Sequence, residues 1–218
     1  MTNKTDRQLQ LDVMAELDWD PSIDAARVGV EVHNGIVTLS GQIDSYAEKW
    51  AAEIAAQRVT GVKGLVMDLT VILPGSAIRT DEDVARQAKS ALDWSISVPK
   101  DAVKVRVEDG WVTLTGQVDW AYARDTAAMC VRGLVGIKGV INNVHVRPRA
   151  TAKDVKTTIE AALQRRAHFD TKAITVDVDG STVILSGVVD SLGERHTVEN
   201  AVWNAPGVSS VVDKLAIA

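Results

Sequence analysis

The sequence predicts an α+β protein: three tandem αββαβ two-layer domains, each a three-stranded sheet with two helices on one face. Three observations predict it. The phrase NGIVTLSGQID (residues 34–44) returns as DGWVTLTGQVD (109–119) and, more loosely, as GSTVILSGVVD (180–190). Gly41, Gly116 and Gly187 keep the same offsets as Gly61, Gly136 and Gly207 and as Thr5, Thr80 and Thr151, so the copies align without gaps. Valines alternate with polar residues ahead of each phrase. Such repetition signals architecture, because a tandem fold needs its frame in every copy whereas a reaction needs its groups once.

Each unit opens on a helix. Thr5, Thr80 and Thr151 stand at the N-cap, and three residues on come Gln8, Asp83 and Asp154. That is the spacing of a capping box, in which two side chains satisfy two backbone N–H groups reciprocally. Leu9, Val13 and Leu17 then form an apolar stripe at helical spacing, as do Val84, Ala88 and Leu92, and Val155, Ile159 and Leu163.

Two strands follow. Val28, Val30 and Val32, then Val103, Val105 and Val107, then Ile174, Val176 and Val178 alternate with polar or small residues, which gives a sheet with one dry face. Asn34-Gly35 and Asp109-Gly110 are two-residue hairpin signals, since both positions of that turn take positive φ. In the third unit Asp179-Gly180 sits one place earlier and leaves the turn open.

A second helix starts after the quoted strand. Ser45 and Glu48, and Ser191 and Glu194, have capping spacing; the second unit has Trp120 there, so Asp119 is its expected cap. Asp44, Asp119 and Asp190 precede this helix in every unit and read as caps. Gly61, Gly136 and Gly207 are expected to end it in the left-handed conformation. The closing strand reads LVMDLTV, VINNVHV or VVDKLAI. Beside the second strand it makes a mixed sheet; beside the first, an antiparallel one. Two helices can cover only one face of three strands, hence two layers. The expected boundaries are 1–74, 75–148 and 149–218, joined by short linkers at 73–79 and 147–150 that restrict relative orientation.

This element order, the strand ending V-x-L-S/T-G-x-V/I-D and the closing G-V/I-x-x-V/L/I-V/I-x-x-L/V-x-V/I resemble the BON family, named for an osmotically inducible bacterial protein and nodulation proteins. The resemblance covers nearly the whole chain, three times. It implies a non-enzymatic, transport-associated module of bacterial stress responses with phospholipid or envelope interactions. Some BON-containing proteins are associated with potassium sensing, through backbone carbonyls that leave no trace in a sequence.

Composition narrows the function classes. The net charge of −5 is wrong for coating nucleic acid or an acidic membrane with the whole molecule. Residues 1–74 hold 6 basic and 11 acidic side chains, 75–148 hold 10 and 9, and 149–218 hold 8 and 9, so the surplus acidity lies in the first unit. The single cysteine, Cys130, excludes an internal disulfide and fits a reducing compartment. The start of the sequence lacks the apolar core of a signal peptide, and no run of about 18 apolar residues is present. The expected location is the cytoplasm, with any membrane contact peripheral and at the inner membrane.

Residues with catalytic potential are dispersed. His33, His145, His168 and His196 form no H-x-x-x-H or H-E-x-x-H pattern. Cys130 falls where the other units have Ala55 and Ala201, which suits a small core residue. GVKG (61–64) and GIKG (136–139) have the form of a phosphate-clamping GxxG loop, but the third copy reads GVSS and the loops lead from helix to strand. The expectation is therefore no enzyme, no cofactor, no metal and no nucleic acid.

Tryptophan is the anomaly, with six residues against one phenylalanine. Trp50 and Trp203 fall inside second helices and read as core. Trp19, Trp94, Trp111 and Trp120 sit near element ends and have two readings. The first is packing between units, for which amphipathic rings are suited. The second is insertion at a membrane interface or a partner groove, with Lys104 and Arg106 on the outward sheet face of the second unit attracting anionic headgroups. The functional expectation is a stress-associated binding module for anionic phospholipid surfaces. The alternatives are a protein-interaction scaffold or self-associating module, and a potassium-responsive binding protein.

Overall fold

A computed structural model describes residues 4–147, 155–164 and 174–217. The first unit comprises α1 (Asp6–Trp19), β1 (Val28–His33), β2 (Ile36–Ile43), α2 (Tyr46–Arg58) and β3 (Gly64–Val71). The second comprises α3 (Asp81–Trp94), β4 (Val103–Glu108), β5 (Trp111–Val118), α4 (Ala121–Arg132) and β6 (Gly139–Val146). The third comprises α5 (Val155–Gln164), β7 (Ile174–Asp179), β8 (Thr182–Val189), α6 (Leu192–Trp203) and β9 (Ser210–Ile217). The expected cap Thr151 with Asp154, the side chain of Leu163, His168 and linker residues 148–150 lie outside the described residues.

The first helices form as their caps dictate. Thr5 Oγ1 accepts from the Gln8 N–H at 3.3 Å while Gln8 Oε1 accepts from the Thr5 N–H at 3.2 Å. Thr80 Oγ1 accepts from the Asp83 N–H at 3.2 Å. Leu9, Val13 and Leu17, like Val84, Ala88 and Leu92, are buried on the core side. For the second helices the caps are Ser45 and Ser191, each accepting from the N–H three residues on at 3.1 Å.

The aspartates expected to cap stand one residue too early to reach those N–H groups. Asp44 pairs with Arg27 at 2.7 Å, and its own N–H donates to Glu48 Oε2. The Asp190 N–H likewise donates to Glu194 Oε2 at 2.6 Å. In α4 the N-cap is Trp120 with no side-chain cap, and Asp119 lies 3.8 Å from Arg147.

Strand order is now settled. In each sheet the second strand is central, antiparallel to the first and parallel to the third. The second helix is the crossover that a parallel pair requires. At Asn34-Gly35 and Asp109-Gly110 both φ angles are positive, so these hairpins close as predicted. In the third unit the turn is Gly180-Ser181 with only Gly180 at positive φ, the II′ pattern.

A long-range contact goes with the first two hairpins. Asp6 accepts from the Asn34 and Gly35 N–H groups at 2.8 and 3.0 Å, and Asp81 from those of Asp109 and Gly110 at 2.8 and 2.9 Å. The third copy has Ala152 at this sequence position, which has no carboxylate to hold such a turn.

The recurring glycines have steric causes. A Cβ on Gly41 would lie 2.1 Å from the Arg27 carbonyl oxygen, and one on Gly116 2.0 Å from that of Ala102. The second helices end at Arg58, Arg132 and Trp203, earlier than expected. Gly61 and Gly207 belong instead to following turns, closed by Val62 N–H to Val59 O at 3.3 Å and Val208 N–H to Ala205 O at 3.4 Å.

Burial forms three separate cores, one per unit. Leu39, Leu114 and Leu185, at the same place on each central strand, are fully buried, and each contributes about 1.5–3 kcal/mol.

Candidate functional site

The most exposed indoles come from the ends of the first helices. Asp81, at the start of α3, is tied to the hairpin tip of the second unit, so the other end of this helix lies about 20 Å away, toward the opposite end of the strands. There Trp94 is 85% exposed, and Ile96, in the loop that follows, is fully exposed. β4 begins at this end, and the antiparallel register brings the end of β5 to it as well. Lys104, Trp120 and Trp94 therefore share one end of the second unit. Lys104 is exposed, and Trp120 is half-buried at the mouth of α4.

Trp111 and Arg106 do not join them. Trp111 starts β5 at the hairpin end, and its ring lies flat against Gly139 of β6, where a Cβ would come within 2.3 Å of a ring carbon. The glycine is needed so that the indole can cover the neighbouring strand. Arg106, mid-strand and exposed, is paired with Glu108 at 2.7 Å.

Trp19, the counterpart of Trp94, is 83% exposed but stands between Asp18 and Asp20. Hydrogen bonds from the Ser22 hydroxyl and N–H hold the Asp20 carboxyl below its ordinary pKa. This tip therefore stays anionic to lower pH than a free aspartate would.

Trp19 and Trp94 do not pack between units, and such packing is made by the two tryptophans expected in the core. Trp50 of α2 and Trp203 of α6 are half-buried where the second helices converge. The Arg124 guanidinium of α4 stacks over Trp203 at 4.3 Å, and Arg132, two turns on, stacks over Trp50 at 4.8 Å. Tyr46 of α2 packs on the second core and Leu192 of α6 on the first. Burial pushes the Tyr46 hydroxyl up in pKa, against the opposing pull of the nearby Arg132 charge. Gly193 lies so close to α2 that a Cβ there would sit 3.0 Å from the Gln57 carbonyl oxygen. The first and third units thus touch directly.

A signal for this joint was present in the repeat. Aligned across copies, Trp50, Asp125 and His196 occupy one position of the second helix, and Gln57, Arg132 and Trp203 another. All but Gln57 line one groove of about 300 Å³. The same face of each helix turns toward the meeting point, so side chains there must complement one another and cannot repeat.

Elsewhere, among the described residues, those with catalytic potential stay apart. His33, His145 and His196 are exposed on β1, β6 and α6. Cys130 is half-buried against the second core. In the GxxG loops the Lys63 and Lys138 N–H groups donate to Gly35 O and Gly110 O at 2.9 and 2.8 Å, so that backbone is engaged by the hairpin turns.

Residues 5–72, 80–148 and 151–218 each match the BON domain. The chain belongs to the BON family. Its three BON domains are the three units described above. Osmotically-inducible protein Y of Escherichia coli is 30% identical over 146 residues, 65% of this chain and 73% of that protein. Outer membrane lipoprotein DolP of Haemophilus influenzae is 32% identical over 143 residues, 64% of this chain and 74% of that protein. Among solved structures, CdsD, a structural protein of the type III secretion system of Chlamydia trachomatis, aligns over 95% of this chain at 13% identity and a TM-score of 0.27, too low to carry an argument.

Proposed function

We propose that this tandem BON protein is a non-enzymatic, stress-associated module that docks peripherally on anionic phospholipid surfaces through one end of its second domain, within the boundaries 75–148. The observation that carries the reading is Trp94 and Ile96, both almost wholly in water, at the end of the second domain where β4 brings in exposed Lys104 on the outer sheet face, in the domain with the most basic side chains. Indoles favour the headgroup level of a bilayer, and a basic residue near an anionic surface adds about 1 kcal/mol. No helix among the described residues is long and apolar enough to cross a membrane, so the contact is with the surface. The two relatives, named for osmotic induction and for an outer membrane lipoprotein, support a setting of stress and membranes. Docking at the cytoplasmic face of the inner membrane is the site proposed here, and cell fractionation tests it.

Co-sedimentation with vesicles of phosphatidylglycerol and phosphatidylcholine is the decisive experiment. The chain pellets at low salt with the anionic vesicles, and Trp94→Ala releases it while Trp19→Ala does not. No pelleting of the unaltered chain ends the proposal.

A second reading, a self-associating or partner-binding scaffold, is favoured by exposed apolar residues on the outer sheet faces: Ile36 and Val66 in the first unit, Trp111 and Ile141 in the second, Val188 and Val212 in the third. Each sheet also has two edge strands, which are templates for further pairing. A mass that rises with concentration supports this reading. For the potassium alternative, a melting temperature equal in potassium and sodium chloride removes the idea.

A further inference from the structure

The groove between the second helices contains one cation and one anion that have no ion-pair partner among the described residues. Arg124 is balanced by Asp125, with Nε to Oδ1 at 2.9 Å. Arg132 rests on the Trp50 ring with the Tyr46 hydroxyl nearby, yet no described carboxylate comes within ion-pair distance of it, and its buried Nε has no hydrogen-bond partner among the described residues. Glu199 of α6 lines the same groove, and no described cation pairs with it either. Arg132 and Glu199 are therefore more than 4.0 Å apart in a shared cleft.

We propose that this groove binds a small zwitterion carrying one carboxylate and one ammonium, the chemistry common to free amino acids and betaines. Charge balance selects that class. A simple anion would answer Arg132 but face Glu199 unscreened, and a simple cation would do the reverse. A zwitterion answers both and leaves the groove neutral. Its carboxylate meets the guanidinium, where a charge-assisted hydrogen bond is strongest. Its ammonium meets Glu199, the carboxylate of the groove that no described cation pairs with. The volume of about 300 Å³ lies at the lower end of the range for ligand sites and suits a ligand of few heavy atoms. The site needs all three domains, because each contributes a wall. It does not depend on membrane docking, which uses another part of the second domain.

The test is calorimetric titration of the full chain with glycine, trimethylglycine, acetate and tetramethylammonium, with the indole N–H resonances of Trp50 and Trp203 followed by NMR. Trp50→Phe and Trp203→Phe supply the assignments. Saturable binding of glycine or trimethylglycine, with acetate and tetramethylammonium about tenfold weaker or worse, is expected; the zwitterion that binds tells amino acid from betaine. Arg132→Gln and Glu199→Gln each weaken binding by about tenfold, the size of one lost charge contact. Arg132 also belongs to the joint, so Glu199→Gln, outside both stacks and checked by its melting curve, is the cleaner variant. The proposal is overturned if neither zwitterion saturates, if acetate binds as tightly, or if folded Glu199→Gln binds unchanged.

Discussion

The first and second BON domains have one frame and two opposite surfaces. Their central strands place Leu39 and Leu114 identically, their hairpin tips are tied to Asp6 and Asp81, and their first helices both end in an exposed indole. Around those indoles they diverge. Trp19 is flanked by two aspartates in a domain with a large acidic surplus, whereas Trp94 has one aspartate before it, Asp93, paired with Lys89 at 3.1 Å, and exposed Ile96 after it in a domain of nearly balanced charge. The difference teaches that the repeated residues carry shape, while discrimination between targets falls to those that changed.

The severest challenge to this pairing is to the shared frame. Gly41→Ala and Gly116→Ala each drive a Cβ into a carbonyl oxygen at a backbone angle that favours glycine. A loss of about 3 kcal/mol or more is expected from each, by clash added to strain. Chemical denaturation should show equal effects, and a tolerated alanine in either domain would mean that the frame is not shared. Next comes Trp94→Ala against Trp19→Ala, with vesicle binding lost in the first and kept in the second; equal losses would erase the contrast.

Lys104→Glu sharpens it further. Replacing attraction by repulsion should weaken vesicle affinity by about fivefold or more, from about 1 kcal/mol per basic residue near such a surface. Ser45→Ala removes a cap that α2 has and α4 lacks, and should cost about 1 kcal/mol in thermal or chemical unfolding.

The smallest effect concerns acid. Backbone N–H groups of Asn34 and Gly35 hold the Asp6 carboxyl below its ordinary value. A carboxyl depressed on folding contributes stability that is present above its unfolded pKa, about 3.9, and lost as pH falls through the lower folded value. Carboxyl-detected NMR should show Asp6 titrating late, with the Asn34 and Gly35 amide shifts following it. An ordinary titration would mean that the turn is not tied in this way.

Much of this was legible in the sequence because local physics wrote it there. Alternating valines, threonine caps and Asn-Gly turns each act within a few residues, and repetition displayed them three times. The carboxylate of Asp6 was missed because its target lies 28 residues away. The aspartates before the second helices were misread by one place, since cap and pre-cap positions differ by a single residue of reach. For the tryptophans the outcome was divided: Trp50 and Trp203, inside helices, make the joint, and Trp19 and Trp94, at helix ends, face water. Burial of Trp50 and Trp203 depends on how whole domains meet, which no local pattern encodes. The mismatched positions of the second helix carried that information, but only for a reader looking where the copies disagree.

The contact of Gly193 with the Gln57 carbonyl joins the two domains farthest apart in the chain. A protease that cuts the segment between the first and second domains should therefore release no free fragment. The nicked protein would travel as one particle on a sizing column and come apart only in denaturant, as a ring opened at one link still holds through the others.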